Sequence, residues 1–152
     1  MSPRLLRWAL NLWPPFRGAG IRVRHIAEDW SAARVELRAG LLNRNFVGTH
    51  YGGSLFSMTD PFYALMLMHR LGNEYLVWDQ AASIDFVSPG RGRVAALFSL
   101  DEKTVEEIRG QAAGGQKVLP QFDIEIKDEA GALVARVRKT VYVRLKPRYR
   151  PA

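Results

Sequence analysis

Residues 45–60 read Asn-Phe-Val-Gly-Thr-His-Tyr-Gly-Gly-Ser-Leu-Phe-Ser-Met-Thr-Asp, a loop with a histidine, a tyrosine and two glycines that leads into an apolar segment. Apolar side chains dominate up to Leu71, so residues 54–71 are predicted to form one helix that is buried on most sides. A sheet wrapped around this helix would bury it economically. Backbone N–H groups at a helix start favour negative charge, and a carboxylate, Asp60, lies two turns further along. This layout suits acyl transfer or hydrolysis.

Length and composition limit the classes of protein to which the chain can belong. The chain has 152 residues, the size of about one domain, and 47% of them are hydrophobic, which is enough for a core. We therefore expect one domain over residues 1–152. Cysteine is absent, so no disulfide framework or thiolate nucleophile is expected. The three histidines, at positions 25, 50 and 69, have no ligand-like spacing, so no metal site is expected either.

Basic residues are concentrated in two terminal stretches, 4–24 and 136–150, and the net charge is +7. A solvated basic surface explains this charge. A polyanionic ligand, such as a phosphate-bearing cofactor, nucleic acid or anionic lipid, explains it as well. No nucleic-acid-binding motif accompanies the charge, so no nucleic-acid partner is expected.

The N-terminal residues 1–16 are predicted to form an amphipathic helix packed on the domain. Its apolar residues at helical spacing are Leu5, Leu6, Trp8, Ala9, Leu12 and Trp13. A role at a membrane surface stays open. Nothing approaches the about 18 apolar residues of a transmembrane helix, and a cytoplasmic protein is expected.

Alternation of polar and apolar residues predicts six β-strands. Their ranges are 21–27, 33–38, 75–89, 93–101, 121–127 and 133–146. Residues 89–92, Pro-Gly-Arg-Gly, indicate a hairpin between the third and fourth strands, and residues 128–131 turn the chain into the last strand. This order predicts an α+β fold with antiparallel strands.

Two further segments complete the prediction. Residues 40–53 read as a long loop, and loops of this length are usually functional or disordered. Residues 104–113 are predicted to be a helix with Thr104 as its N-cap and Glu107 at the capping-box position.

Lys139 interrupts the apolar face of the last predicted strand, which it shares with Val137 and Val141. A buried unpaired lysine is costly. Either a β-bulge shifts the phase of the strand or the lysine extends to solvent, or Lys139 meets an acid or an anion. The bulge or the extended lysine is the preferred explanation.

The helix-in-sheet order, together with residues 45–60, resembles the hotdog-fold thioesterases, closest to the PaaI-like branch and the DUF4442 group. The PaaI-like signature is Asn, two residues, Gly, two residues, His-Gly-Gly and then an acid on the helix. The residues that match it are Asn45, Gly48, Gly52, Gly53 and Asp60. Tyr51 holds the histidine position of the signature, and His50 lies one residue earlier.

The resemblance covers residues 20–146. It implies an antiparallel sheet around a long central helix and homodimers that join their sheets, with two dimers often forming a tetramer. It also implies hydrolysis of acyl-CoA thioesters at the dimer interface. Coenzyme A then enters as part of the substrate, and no cofactor is required.

Asp60 is the leading catalytic candidate. Ser54, Ser57 and Asp60 are spaced by three, so they fall on one side of the predicted helix as a polar stripe toward the substrate. Burial would raise the pKa of Asp60 and suit it to general-base work. By resemblance, Asp60 would activate water or attack the thioester carbonyl directly. Alternatively, Asp60 and Pro61 are the N-cap and first residue of a helix that begins there; otherwise Pro61 should kink the helix near Ser57.

The paired glycines are candidates for the oxyanion site. Gly52 and Gly53 would let the backbone approach a ligand closely. Their N–H groups, with that of Ser54, could stabilise a developing oxyanion. An ordinary loop-to-helix turn is the alternative interpretation.

Three polar residues of the loop are further candidates. His50 or Tyr51 could donate a hydrogen bond to the thioester oxygen or orient Asn45, and Asn45 could order water or the loop. A packing role for His50 and a turn role for Asn45 are the alternatives.

Four charged residues lie outside that loop. Arg91 and Arg93 follow a strand turn, where related hotdog proteins hold the phosphates of CoA, although exposed turn arginines are also common. Asp85 is expected to face solvent, and Asp79 could reach a dimer partner. Neither aspartate is assigned to chemistry.

Three functions are consistent with the sequence. The first is an acyl-CoA thioesterase for a medium-chain or aromatic acyl group. The second is a non-catalytic acyl- or acyl-CoA-binding hotdog dimer, which the displaced histidine supports. The third is a dehydratase or hydratase, which would need a His–acid pair that the loop lacks.

Overall fold

The computed structural model describes residues 1–151. The helices are α1 (Pro3–Leu12), α2 (Pro14–Ala19), α3 (Gly52–Ser57), α4 (Phe62–Leu71) and α5 (Glu102–Ala112). The strands are β1 (Ile21–Ile26), β2 (Ala32–Arg38), β3 (Tyr75–Phe86), β4 (Arg93–Ser99), β5 (Gln121–Asp128) and β6 (Leu133–Leu145). A 3₁₀ turn, Pro147–Tyr149, follows β6. No helix within residues 1–151 is long and apolar enough to cross a lipid bilayer.

All six strands form one antiparallel sheet in the order β1-β2-β4-β5-β6-β3. Each strand lies where the sequence predicts it, with ends that differ by at most three residues. The alternation is the reason, because it gives each strand one apolar face: Ala33, Val35 and Leu37 of β2 are buried. The predicted α+β fold with an antiparallel sheet is confirmed.

Helix α4 packs its aromatic residues against the apolar face of the sheet. The ring of Phe62 lies 4.8 Å from that of Phe98 on β4. The ring of Tyr63 stacks at 4.0 Å on Phe122 of β5. Phe62, Met66 and Leu67 are almost fully buried, so α4 is the buried helix that the apolar segment predicts.

The prediction of one continuous helix over residues 54–71 is wrong, since α3 ends at Ser57 and α4 begins at Phe62. Pro61 has no N–H group, and its ring would clash with the carbonyl of Ser57 in a continuous helix. The expected kink is therefore a complete break. Asp60 lies in this break and makes no side-chain capping bond to α4, so the N-cap interpretation is also wrong.

The predicted hairpin at residues 89–92 is wrong as well. Strand β3 pairs only with β6, at one edge of the sheet, whereas β4 pairs with β2 and β5. Proline and glycine indicate that the chain changes direction there, but they do not determine which strand it pairs with next. The second predicted turn does join β5 to β6 as a hairpin.

Helix α5 begins two residues before its predicted N-cap, Thr104. The carboxylate of Asp101 accepts a hydrogen bond of 2.7 Å from the N–H of Thr104 and is the N-cap. Aspartate and threonine are both favoured N-cap residues. Asp101 is the N-cap here because its side chain reaches the third N–H of the helix.

The N-terminal segment forms two helices, α1 and α2, which lie beside β1. Leu10 and Phe16 are buried, whereas Leu5, Trp8 and Leu12 are more than half exposed. The predicted helix therefore packs on the domain, but it ends at Leu12 and leaves part of its apolar surface exposed.

Candidate functional site

Lys139 on β6 joins two carboxylates from different parts of the chain. Its Nζ atom lies 2.8 Å from Oδ2 of Asp79 on β3 and 3.1 Å from Oδ1 of Asp60 in the helix break. The Lys139 side chain is 5% exposed, that of Asp79 21% and that of Asp60 56%. The ammonium also lies 5.6 Å from the ring centroid of Phe56 on α3. The cluster therefore has a buried cation and one accessible carboxylate.

The preferred explanation for Lys139, a bulge or an extended side chain, is wrong. Residues on either side of Lys139, Val137 and Val141, are buried on the same face, so β6 keeps its phase. The register shifts of the sheet lie away from Lys139: between Val23 and His25 where β1 pairs with β2, between Asp79 and Ala81 where β3 pairs with β6, and between Ile126 and Lys127 where β5 pairs with β6. Lys139 instead meets acids, which was the other explanation, and Asp79 belongs to this face of the sheet.

The two aspartates have pKa values that move in opposite directions. Partial burial alone would raise the pKa of Asp60, but the neighbouring carboxyl of Asp79 and the charge of Lys139 lower it. Burial raises the pKa of Asp79, and the neighbouring carboxyl of Asp60 raises it further, against the effect of Lys139. Of the two carboxyls, Asp60 therefore loses its proton at the lower pH, and Oδ1 of Asp79 is buried without a hydrogen bond within residues 1–151.

The expectation of a raised pKa for Asp60 is thus wrong. Asp60 is about half exposed, and its partners stabilise the charged form. An ionised carboxylate that is accessible to water can accept a proton, which is the role of a general base.

Hydrogen bonds from the side chain of Asn45 stabilise the conformation of the loop between β2 and α3. Its Oδ1 accepts hydrogen bonds from the N–H groups of Val47 and Thr49, at 3.1 and 3.0 Å. Its Nδ2 donates to Oγ1 of Thr49 at 2.8 Å and to the carbonyl of His50 at 3.3 Å. Each polar atom of the amide is therefore engaged within the loop, as the turn interpretation of Asn45 expects.

His50 is buried beneath the loop, with 4% of its surface exposed. Its N–H donates to the carbonyl of Gly90 at 3.0 Å, which ties the loop to the segment after β3. Burial lowers the pKa of the imidazole, partly opposed by the backbone of Gly92. Neither ring nitrogen makes a hydrogen bond of good geometry within residues 1–151. His50 is therefore a neutral, enclosed ring.

The start of α3 presents unused amide groups. Within residues 1–151, no acceptor takes the N–H of Gly52 or Gly53, as is usual for the first turn of a helix. The N–H of Ser54 is not available, because it donates to the carbonyl of Tyr51 at 2.9 Å. The expected oxyanion site is thus reduced to the two glycine amides.

Aromatic rings lie close to the Cα atoms of Gly52 and Gly53, which explains why both positions are glycine. A Cβ atom on Gly52 would lie 2.8 Å from the ring of Phe86, and one on Gly53 would collide with the ring of Tyr51. Tyr51 itself is 61% exposed. The signature's histidine position is therefore occupied by a ring that folds over Gly53.

The loop separates two grooves. One, of about 610 Å³, lies between the loop and the segment after β3, and its walls include Asn45, His50, Gly52, Phe86 and Arg91. The other, of about 680 Å³, lies toward α2, and its walls include Leu41, Leu42, Phe46, Tyr51 and Ser54. Both grooves have apolar walls, and each is lined by a residue of the first turn of α3.

Other candidates lie apart from these grooves. Ser57 is exposed at the end of α3, Ser54 is buried near its start, and Asp60 lies beyond the helix. Arg93 lies in a basic groove on the outer face of the sheet and pairs with Glu129 at 3.7 Å. Arg91 and Arg93 are therefore not at one site.

Gly53 and Asp60 lie at opposite ends of α3. A helix of six residues is about 9 Å long, and this length separates the glycine amides at its start from Asp60, which follows its end. Asp60 lies instead beside β3, which is an edge strand of the sheet. This strand exposes Trp78 and Phe86, at 45% and 59%.

Sequence reasoning did not assign Asp79 or Lys139 to the site. A signal for both was present, because a lysine on an apolar strand face requires an anionic partner. That signal did not identify Asp79 as the partner, since the pairing of β3 with β6 cannot be read from the sequence.

Solved structures of similar shape support this description. PA5026 from Pseudomonas aeruginosa, a protein of unknown function described as a probable thioesterase, has a TM-score of 0.78 at 19% identity, over 96% of this chain and 97% of that chain. Thioesterase HI1161 from Haemophilus influenzae has a TM-score of 0.68 at 15% identity, over 95% and 92%. The E. coli PaaI protein from the phenylacetic acid degradation operon has a TM-score of 0.61 at 21% identity, over 95% and 97%.

No curated protein sequence matches this chain. The structural similarity shows the hotdog fold that the sequence predicts. The family model of DUF4442, described as a domain of unknown function, matches residues 3–143, and the chain belongs to the DUF4442 family.

Proposed function

We propose that the protein is a cytoplasmic acyl-CoA thioesterase that hydrolyses a medium-chain or aromatic acyl-CoA at a site between two copies of the chain. The observation that carries the proposal is the state of Asp60, an ionised and accessible carboxylate whose partners, Asp79 and Lys139, are largely enclosed. A base of this kind can take a proton from water next to a thioester.

A second copy is part of the proposal because Gly53 and Asp60 of one chain lie too far apart. Edge strand β3 has unpaired backbone groups, and pairing it with β3 of a second copy would extend the sheet about a two-fold axis. That arrangement brings Asp60 of one copy toward the α3 start of the other. It would also cover the exposed side chains of Trp78 and Phe86. A further association of two dimers is not required.

The proposed reaction uses water as the nucleophile. Asp60 accepts one proton from the water, and the oxygen forms a bond to the thioester carbonyl carbon. The carbonyl oxygen becomes an oxyanion held by the N–H groups of Gly52 and Gly53 of the other copy. Collapse of this intermediate breaks the carbon–sulfur bond, and the thiolate of coenzyme A takes the proton from Asp60 or from solvent.

Lys139 and Asp79 are positioning residues in this scheme. Lys139, held by Asp79, donates a hydrogen bond to Asp60, and its charge favours the ionised form of Asp60 before the reaction. The groove beside His50 is proposed for the acyl group, because Leu55, Phe86 and Val87 give it apolar walls. Arg91 at its rim is proposed to contact a phosphate of coenzyme A.

A non-catalytic acyl-CoA-binding dimer is the second candidate. The observation that favours it is the loop, where Tyr51 replaces the histidine of the signature and the ring of His50 is enclosed. Such a protein would keep the grooves and the interface but would not cleave the thioester.

Purified protein mixed with a panel of acyl-CoAs distinguishes the candidates when free thiol is followed with a chromogenic reagent. The chain has no cysteine, so the protein contributes no background. The proposal expects thiol release that is catalytic in protein. Binding seen by calorimetry without thiol release supports the second candidate, and a hydrated acyl-CoA product supports a hydratase. Sedimentation of the same samples tests the dimer.

A further inference from the structure

Helix α1 is attached to the protein by polar side chains as well as by the buried Leu10 and the partly buried Leu6. The side chain of Asn11 pairs with the backbone of Val23 on β1 as a strand would, with its Nδ2 donating to the carbonyl at 3.0 Å and its Oδ1 accepting from the N–H at 2.8 Å. Arg7 donates to the carbonyl of Arg24 at 3.1 Å, and Arg4 bonds Glu28 at 2.9 Å. These three polar residues all bond to β1 or to the chain that follows it.

A second set of apolar residues on α1, on the side opposite Leu10, faces away from the protein. Leu5, Trp8 and Leu12, at the spacing of one helix face, are 59%, 62% and 57% exposed. Met1 and Trp13 at the two ends are 71% and 45% exposed. We call these five residues the α1 apolar surface. Scattered exposed apolar residues are ordinary, but a contiguous surface on one helix indicates an interaction site.

Arginines border this surface. A cleft of about 350 Å³ between α1 and β1 has Trp8 and Leu12 on one wall and Arg22 and Arg24 on the other. The charged residues that line it are all arginines, of which Arg24 pairs with Glu36 at 2.7 Å. A ligand for this cleft would combine an apolar part with an anionic group.

We propose that the α1 apolar surface docks on the surface of an anionic phospholipid bilayer. Amphipathic helices bind there with their apolar residues at the boundary of headgroups and acyl chains, and tryptophan is favoured at that depth. Arginines at the edge of such a helix contact lipid phosphates and attract the helix to anionic lipids. The α1 surface has both features, and its attachment to β1 holds the apolar side outward before any lipid is present.

A second copy of the chain is a less suitable occupant. A symmetric contact through the α1 apolar surface would place the arginines of one copy against those of the other. Glu28, the acid that bonds α1 directly, already pairs with Arg4. The inference is independent of the proposed hydrolysis, because none of these residues belongs to the proposed site.

The test is co-sedimentation of the full chain with vesicles of phosphatidylcholine alone and with vesicles that also contain phosphatidylglycerol. We expect binding to the anionic vesicles at low salt and little binding to the neutral ones. The double change of Trp8→Ser with Leu12→Ser should weaken binding at least about tenfold, because the apolar area available for burial is lost. The change Arg22→Gln, at an exposed arginine of the cleft wall, should weaken it and reduce its dependence on salt.

Leu97→Ser is the matched control, since Leu97 is 65% exposed on β4 and lies outside the α1 apolar surface. It should bind as the wild type does, and circular dichroism of each variant should confirm that it is folded. Failure of the wild type to bind anionic vesicles would overturn the proposal, and so would binding that Trp8→Ser with Leu12→Ser leaves unchanged. A molar mass in solution that falls in the same double variant would show that a second copy covers this surface, which also overturns it.

Discussion

The Nζ atom of Lys139 lies 2.8 Å from Oδ2 of Asp79, 60 residues earlier in the chain. Lys139 is among the few buried polar residues, and a single buried charge of this kind would be strongly unfavourable. The pairing of β3 with β6 provides the partner, and the helix break provides a second one, Asp60. The cluster is therefore a product of both the sheet register and the interruption between α3 and α4.

Replacing Lys139 by Met should raise the pKa of Asp60, because the positive charge that lowers it is removed. We expect the free energy of unfolding to fall by about 2 kcal/mol, less than for a fully buried pair, since Asp60 is half exposed. Carboxyl ¹³C NMR titration reads the pKa, and urea unfolding reads the stability. Lys103→Met, at a lysine whose side chain is 84% exposed, is the control and should change neither value. A pKa of Asp60 that is the same in Lys139→Met and wild type would contradict the assignment.

Replacing Asp79 by Asn should change how stability depends on pH. Asp79 has a raised pKa in the folded state, so the folded protein binds its proton more tightly and loses stability as pH rises above about 3.9, the unfolded value. Asparagine cannot lose that proton. The stability of Asp79→Asn relative to wild type should therefore increase from pH 4 to pH 7, as urea unfolding at several pH values would measure. A relative stability that decreases over this range would mean that Asp79 is ionised in the folded protein.

The strand positions were predictable because alternation of apolar residues is a local property of the chain. Which strands pair is not local, and the predicted hairpin at residues 89–92 failed for that reason. Two sequence features predict opposite structures between α3 and α4. The apolar residues from Leu55 onward favour a continuous helix, whereas Pro61 interrupts one. The structure follows Pro61, so the break was predictable from the sequence.

Two glycines beside the loop should respond differently to alanine. A Cβ on Gly90 would lie 2.8 Å from the buried side chain of Val134 and 3.0 Å from the enclosed ring of His50. Gly90→Ala should therefore cost about 1–3 kcal/mol of unfolding free energy, as overpacking does. The Cβ of Gly52→Ala meets only Phe86, which is 59% exposed and free to turn away, so the cost should be about 0.5 kcal/mol or less. Equal costs in chemical unfolding would show that the loop is not packed against residue 90 as described.

Replacing Asn11 by Ala should loosen α1 from β1. Two hydrogen bonds to Val23 are lost, and at about 1 kcal/mol each the free energy of unfolding should fall by about 2 kcal/mol. Amide hydrogen exchange should show faster exchange at the Val23 N–H. Asn73→Ala is the control, because Asn73 is exposed in the turn after α4, and it should leave both measurements unchanged. An exchange rate of the Val23 N–H that is the same in Asn11→Ala and wild type would argue against the attachment of α1 through Asn11.

The candidate site was partly predictable. Asp60, the glycines and the loop stand out because polar residues interrupt an apolar sequence there. The state of Asp60 was not predictable, since it depends on Lys139 and Asp79, which come from strands 60 residues apart in the chain. The outward apolar side of α1 was not predictable either, because helical spacing shows that a helix is amphipathic but not which side the protein covers.

Steady-state thiol release from an acyl-CoA by wild type, Asp60→Asn and Asp29→Asn is the most direct test of the role of Asp60. Asp29 is an exposed aspartate in the turn between β1 and β2, away from the proposed interface strand, and serves as the matched control. We expect kcat to fall at least about 100-fold in Asp60→Asn, because the base is lost, and to stay unchanged in Asp29→Asn. A folded Asp60→Asn protein that releases thiol at the wild-type rate would contradict the account.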